Sequence, residues 1–327
     1  MKAVVYDHYG TVEQLHLEEM PLPTPKDNEA LIKVHAASIN DWDWGLLEGK
    51  PFANRVTSGL FDPKIRVLGS DIAGTVEAVG SSVTKFQQGD EVFGDLCQCG
   101  WGGFAEYVCA QENALTLKPA SLSFKQAAAL PQAGLLALQG LQHKGLIQAG
   151  QKVLINGAGG GAGSFAVQIA KSMGAEVTGV DRASKFEVMR KVGADHLIDY
   201  QTADFTQNGQ QYDRILDCCA QRSIFDTNRS LNPGGIYSVM GGATGRIMQT
   251  LLLSPWLSMR NNKKIGIVLY KPNQGIMELI ELIESGKVVP EIDRTYSLSE
   301  VPEAMKHFGR SEHQGKIVIT MELNEPN

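Results

Sequence analysis

The sequence predicts an α/β chain of two domains, one mostly β and one built on a parallel sheet, and three observations lead there. The 327 residues are about twice a typical domain of ~100–150 residues. The first third consists of short alternating or β-branched segments separated by Pro and Gly clusters, the texture of strands. From about residue 123 short apolar runs alternate with helical patterns, the signature of βαβ units whose parallel sheet is covered on both faces. With 43% hydrophobic and 20% charged residues the chain has material for a core and is not disordered. Its net charge of −6 and lack of a Lys/Arg stripe argue against a nucleic-acid partner. Glycine is in excess, 35 of 327 residues or about 11% against a usual ~7%, which points to tight turns and close backbone approaches.

In chain order, strands are expected at 30–36, 72–79 and 91–94, with the proline run at 21–25 as an extended connector because its prolines cannot donate to a ladder. Ser123 caps the first of the helices that fill the Ala- and Leu-rich stretch to Leu146. Residues 152–156 then read as a strand, Ser164 to Met173 as an amphipathic helix and Glu176 to Val180 as the next strand. Further strands are expected at 196–198, 214–217 and 236–240, and a strand-like run reaches Tyr270. Helices are expected at 274–285 and 299–308, and a last strand at Lys316 to Thr320.

The cysteines Cys97, Cys99, Cys109, Cys218 and Cys219 are too few and too oddly numbered for a secreted disulfide framework. The Met1 to Asp7 start offers only a short apolar run before an acid, and no stretch approaches ~18 apolar residues. The expectation is a cytoplasmic protein without a membrane partner.

The strongest motif is Gly157-Ala158-Gly159-Gly160-Gly161-Ala162-Gly163 at a strand-to-helix junction, with Asp181 ending the next strand 21 residues beyond Gly160. In the frame ending at Gly163 the first glycine of a GxGxxG pattern is Ala158. The remaining glycines still let the backbone approach a pyrophosphate, whose charge meets free N–H groups at the helix start. The motif therefore implies dinucleotide binding. Asp181 would accept a hydrogen bond from an adenosine ribose 2′-hydroxyl, which favours NADH, while Arg182 and Lys185 would pair with a 2′-phosphate, which favours NADPH, or simply open a solvated helix. The residues leave both cofactors open.

The order of motifs resembles the medium-chain dehydrogenase/reductase superfamily and its zinc-independent, quinone oxidoreductase-like branch. GSDIAGTVEAVGSSVTKFQQGDEVFG at 69–94 is similar to the GroES-like domain signature, ALPQAGLLALQGL at 129–141 to the domain-crossing helix, and VLINGAGGGAGSFAVQIAK with GADHLIDY at 193–200 to the cofactor domain. The resemblance implies a GroES-like, mostly β catalytic domain at 1–124 and 268–327 and a Rossmann, doubly wound cofactor domain at 125–267. Zinc members hold their catalytic metal with Cys, His and a later Cys or Asp. The matching positions here carry Asn40, Ser70 and the Gln132-Ala133-Gly134 stretch, so no zinc is expected. Cys97 and Cys99 stand where relatives carry a four-cysteine structural lobe and read as loop thiols.

The same resemblance marks Asn40 as the catalytic residue. Its amide N–H groups suit a carbonyl oxygen that gains charge, although Asn40 also suits the N-cap of the helix after it. Asp43 reads as structural. Trp42, Trp44, Phe52 and Trp101 either wall a flat substrate pocket or belong to the core. Tyr200 matches a position at the adenosine end of the cofactor, and Gly241 lies where the nicotinamide half should rest. These readings point to an NAD(P)H-dependent reductase of a quinone or an α,β-unsaturated carbonyl, with a non-catalytic NAD(P)H-binding or sensing protein as the alternative. The apolar run Ile265 to Leu269 offers an edge for a homodimer.

Overall fold

A computed structural model describes residues 1–321. The chain divides into two compact units: Met1–Gln132 with Pro272–Ile276 and the described residues from Ile292 onward, and Ala133–Lys271 with Met277–Glu291.

The first unit is built on a seven-stranded sheet. Its strands run in the order Ile292–Ser297, Lys316–Thr320, Glu29–Ser38, Asp71–Val79, Glu91–Asp95 and Thr116–Leu117, with Tyr107–Gln111 also paired to Glu29–Ser38. The C-terminal strand is antiparallel to Glu29–Ser38, with Val318 opposite Ser38. Glu29–Ser38 is buried along most of its length, which suits its run of Ala, Leu, Ile and Val. Val4, Ile32, Leu47, Ile72, Leu298 and Ile317 belong to one apolar cluster, so the late segment supplies core that the first third lacks. The helix Asp41–Glu48 starts after Asn40, carries Asp41 and Asp43 in its first turn, and stops at Gly49, whose φ of 63° suits a residue without Cβ.

The second unit carries six parallel strands ordered His196–Asp199, Glu176–Asp181, Lys152–Asn156, Tyr212–Asp217, Leu231–Val239 and Lys264–Ile267. Numbered along the chain this is 3-2-1-4-5-6, the doubly wound dinucleotide-binding order, whose direction reverses between Lys152–Asn156 and Tyr212–Asp217. Val153, Leu154 and Ile155 are all inaccessible, as a sheet covered on both faces requires. Arg214, inside this sheet, donates to the carbonyls of His143 and Gly145 at 3.1 and 2.6 Å and caps the end of the Pro131–Gln142 helix.

Two expected boundaries shift. Residues 125–132 belong with the first unit: the helix Phe124–Ala128, capped by Ser123, stacks Phe124 on His35 with ring centroids 4.2 Å apart. A new helix begins at Pro131, which has no N–H to continue the old one. Residues 277–291, expected with the first domain, pack on the second. The helix Ile276–Glu284 presents Leu279, whose Cδ2 lies 2.6 Å from where a Cβ on Gly134 would stand. Gln142 donates to Glu278, and Gln168 exchanges two hydrogen bonds with the Val289 backbone. The strongly two-faced helix buries its apolar side there because Gly134 leaves room for it. Leu279→Ala should therefore lower stability by about 2–5 kcal/mol. The denaturation midpoint of the full chain reads this, and an unchanged midpoint would contradict the docking.

Candidate active site

The Gly157–Gly163 loop leaves the strand Lys152–Asn156 at the carboxyl end of the second unit's sheet, beside the point where strand order reverses. The N–H groups of Gly157 and Ala158 donate to the Val180 carbonyl at 2.9 and 3.1 Å, tying the loop to the next strand. A helix spans Gly161–Ser172 with Gly160 as its cap, so its first-turn N–H groups have no acceptor within the helix. A side chain at Gly163 would force the loop to shift: a Cβ there would lie 2.0 Å from the Gly157 carbonyl oxygen. Ala158, in place of the first glycine, is buried and sits 3.0 Å from the Cβ position of Gly179. Gly160, Gly161 and Ala162 stay partly open. Open N–H donors with almost no side chains above them fit a dinucleotide pyrophosphate.

Asp181, Arg182, Lys185 and Tyr200 gather at the end of the Glu176–Asp181 strand. One Asp181 carboxylate oxygen accepts from the Gly159 N–H at 3.0 Å, and the other from the Arg182 N–H at 2.9 Å. Lys185 folds inward, buried, with its ammonium 3.9 Å from Asp181. The Arg182 Nε donates to the Tyr200 hydroxyl at 2.6 Å. The carboxylate is thus turned into its own loop and partly neutralised, while two cations and a phenol stand at the same edge. Gly241 succeeds the fifth strand, where its carbonyl accepts from the Ala220 N–H at 2.9 Å. Gly163→Ala should abolish nicotinamide dinucleotide binding while the second unit's sheet still forms, a separation that ligand-induced fluorescence change and circular dichroism read together. Retained affinity would show that the loop is not the binding element.

In the first unit the sequence-marked positions meet in a buried polar cluster. The Asn40 Nδ2 donates to an Asp71 carboxylate oxygen at 2.9 Å and to the Ser70 hydroxyl at 3.3 Å. Its Oδ1 accepts from the Lys316 ammonium at 2.5 Å. Lys316 also donates to the Ile39 carbonyl at 2.9 Å and lies 3.9 Å from Asp71. The Gln132 backbone N–H reaches both Asp71 oxygens, at 3.1 and 3.2 Å. Both amide protons of Asn40 thus have acceptors inside this cluster. The reciprocal cap comes from Asp43, which accepts from the Asn40 N–H at 2.9 Å and the Gly69 N–H at 2.8 Å.

Burial pushes the Asp43 carboxyl up to about 7, against the pull of those two donors. It likewise raises Asp71 and lowers Lys316, and their mutual attraction opposes both shifts. Among the described residues no His, Cys, Asp and Glu group is arranged to hold a metal. The donor set at the three matching positions is amide, hydroxyl and amide. An ammonium stands beside them. Trp44 and Trp101 pack against the first unit's core, whereas Trp42 and Phe52 are exposed. Asp71 and Lys316 were not singled out from sequence. The available signals were a charge opening each of two apolar strands, DIAGTV and KIVIT.

Residues 26–120 match the alcohol dehydrogenase GroES-like domain family, and residues 192–319 match the zinc-binding dehydrogenase family. A chloroplastic quinone oxidoreductase of Triphysaria versicolor is 34% identical, with 98% of each chain covered. A chloroplastic NADPH-dependent alkenal/one oxidoreductase of Arabidopsis thaliana is 32% identical over 98% of this chain and 79% of its own. The solved quinone oxidoreductase from Coxiella burnetii superposes with a TM-score of 0.87 at 30% identity, covering 98% of this chain and 99% of that one. With the 3-2-1-4-5-6 sheet, its glycine loop and the strand pairing of the first unit, these likenesses show that the chain belongs to the medium-chain dehydrogenase/reductase superfamily, in its quinone oxidoreductase-like branch.

Proposed function

We propose that the chain is an NADPH-preferring, zinc-free reductase of quinones and α,β-unsaturated carbonyls. The observation that carries the reading is the glycine loop at the reversal point of a dinucleotide-binding sheet, in a chain whose relatives include quinone oxidoreductases and an NADPH-dependent alkenal/one oxidoreductase. The bound nicotinamide supplies hydride. The Gly157–Gly163 backbone holds the pyrophosphate, and Arg182, Lys185 and Tyr200 receive the adenosine end.

The preference for NADPH rests on the placement of Asp181. Its oxygens accept two backbone N–H groups and its charge faces Lys185, so its repulsion of a 2′-phosphate is blunted, and the positive charges of Arg182 and Lys185 at the same strand end favour that phosphate. The zinc-free reading is supported by donor chemistry, since an amide and a hydroxyl do not replace the thiolate and imidazole of a zinc shell. Asn40 then serves as a positioning residue that orients Asp71 and Lys316.

Reduced-nicotinamide absorbance, monitored with a panel of quinones and enones, tests the activity. Turnover should persist in a strong chelator, with zinc far below one per chain by elemental analysis. Loss of turnover with the chelator would refute the zinc-free reading, and a protein that binds NADPH but reduces no acceptor would be a binding or sensing protein. In a second measurement Asp181→Ser should raise NADPH affinity relative to NADH, while Lys185→Ala should lower it. Unchanged ratios in both would show that this edge does not read the ribose.

A further inference from the structure

We propose that the side-chain amide of Gln132 donates the hydrogen bond to the acceptor's carbonyl or quinone oxygen, the task that motif position assigns to Asn40. This deepens the proposed reductase function and rests on it. Gln132 is the second residue of the Pro131–Gln142 helix and is only 5% exposed. Its backbone N–H is fixed on Asp71, yet its Nε2 is buried with no hydrogen-bond partner. A carboxamide nitrogen has two protons to give, and a dry, unused donor of this kind costs a fold its desolvation without return.

The acceptors of the polar cluster that its backbone joins are already taken. Asp71 already takes protons from Asn40, from the Gln132 backbone and, at 3.3 Å, from the Ser38 hydroxyl, with Lys316 beside it. The Asn40 oxygen takes the Lys316 proton, and the Ser70 hydroxyl takes one from Asn40. Among the described residues the Tyr6 hydroxyl and the Trp101 Nε1 of the first unit are buried donors of the same kind, but both side chains sit in or against the apolar cluster. Gln132 alone of the three is tied by its backbone N–H to the buried polar cluster of Asn40, Asp71 and Lys316. A leucine or methionine would fill the same space without an orphaned donor.

The chemistry of the acceptor supplies the missing partner. When hydride adds to the β-carbon of an enone, the C=C pair shifts toward the α-carbon and the carbonyl π pair moves onto oxygen, giving an enolate. Solvent then protonates the α-carbon, and the carbonyl re-forms. The negative charge on oxygen is greatest in the transition state and enolate, where an N–H donor binds more tightly than in the ground state. With a quinone the added electron pair likewise ends on oxygen: the ring carbon that takes hydride gives up its original hydrogen as a proton, the ring becomes aromatic, and the phenolate oxygens are protonated to the hydroquinone. Its aromatic product holds charge well, so it needs the donor less.

The experiment compares the parent with Gln132→Met, which matches the side chain's length and removes the amide, and with Gln132→Leu should methionine fail to fold. The expected result is a melting temperature equal to or above the parental one and unchanged NADPH affinity. For an enone, kcat and kcat/KM should fall together by about 10²–10³, with a smaller loss for a quinone. A folded variant that reduces the enone at the parental rate overturns the assignment, because the amide would then be met by water alone. Parent turnover is measured first. A parent that reduces neither acceptor class overturns the functional reading and this assignment with it, whereas an active parent and an equally active variant overturn this assignment only.

Discussion

Asp71 opens its strand with a carboxylate wholly withdrawn from water, a placement that costs several kcal/mol unless opposite charge and donors meet it. Stretches far apart in sequence supply them. Ser38 and Asn40 come from the end of the longest strand, Gln132 from the start of a helix, and Lys316 from the C-terminal strand. The register of the sheet makes this possible, since Ser38 lies opposite Asp71 on one side and opposite Val318 on the other. Slipping either ladder by one residue would turn the charged groups to the other face. A buried charge pair thus specifies how the last strand docks onto the first third of the chain, a job that interchangeable Ile and Val contacts would leave loosely defined. Registry is the best-attested use of a buried polar group.

In the second unit the corresponding constraint is steric. The helix Gly161–Ser172 approaches the strand before it so closely that Gly163 nearly touches the Gly157 carbonyl, and that approach leaves the first-turn N–H groups bare. The alanine at 158 is tolerated because its Cβ points to Gly179, another residue without a side chain. Loss of a glycine from the motif is thus matched by a glycine on the neighbouring strand. Lys185 uses the same economy: its stem lies 2.7 Å from the Cβ position of Gly159, so a side chain there would displace the cation from Asp181.

Much of this was legible in the sequence, and the reasons differ by element. The parallel strands and the helix after the glycine loop were visible because burial on both faces demands short continuous apolar runs, and KIVIT at 316–320 was legible for the same cause. The ribbon Lys2–Val5 with His16–Glu19 was not, since its second strand is mostly exposed and reads as a polar loop. The exposed apolar residues of the Thr244–Asn261 helix blur its two-faced pattern. The side of the molecule that the Ile276–Glu284 helix joins depended on a single vacancy at Gly134, and periodicity carries no information about vacancies. At the candidate site, motif position located Asn40, but where its amide protons go is set by Asp71 and Lys316, residues 31 and 276 positions away.

The ammonium of Lys316 among the Asn40 and Asp71 groups bears on which acceptors suit the proposed enzyme. Lys316 gives its protons to Asn40 and Ile39 and its charge to Asp71, so the cation is spent on holding the protein together. It offers no open coordination position to a substrate oxygen, as a catalytic zinc would. In the zinc-free enzyme proposed above, electrophilic help would come from neutral N–H and O–H donors, which stabilise a growing oxyanion less than a Lewis acid does. An isolated carbonyl forms a localised alkoxide on reduction and gains most from a metal. Enones and quinones delocalise the added electron pair into an enolate or an aromatic phenolate, lowering the demand on the protein. A first unit with neutral donors around a neutralised charge pair therefore matches conjugated acceptors better than simple aldehydes and ketones.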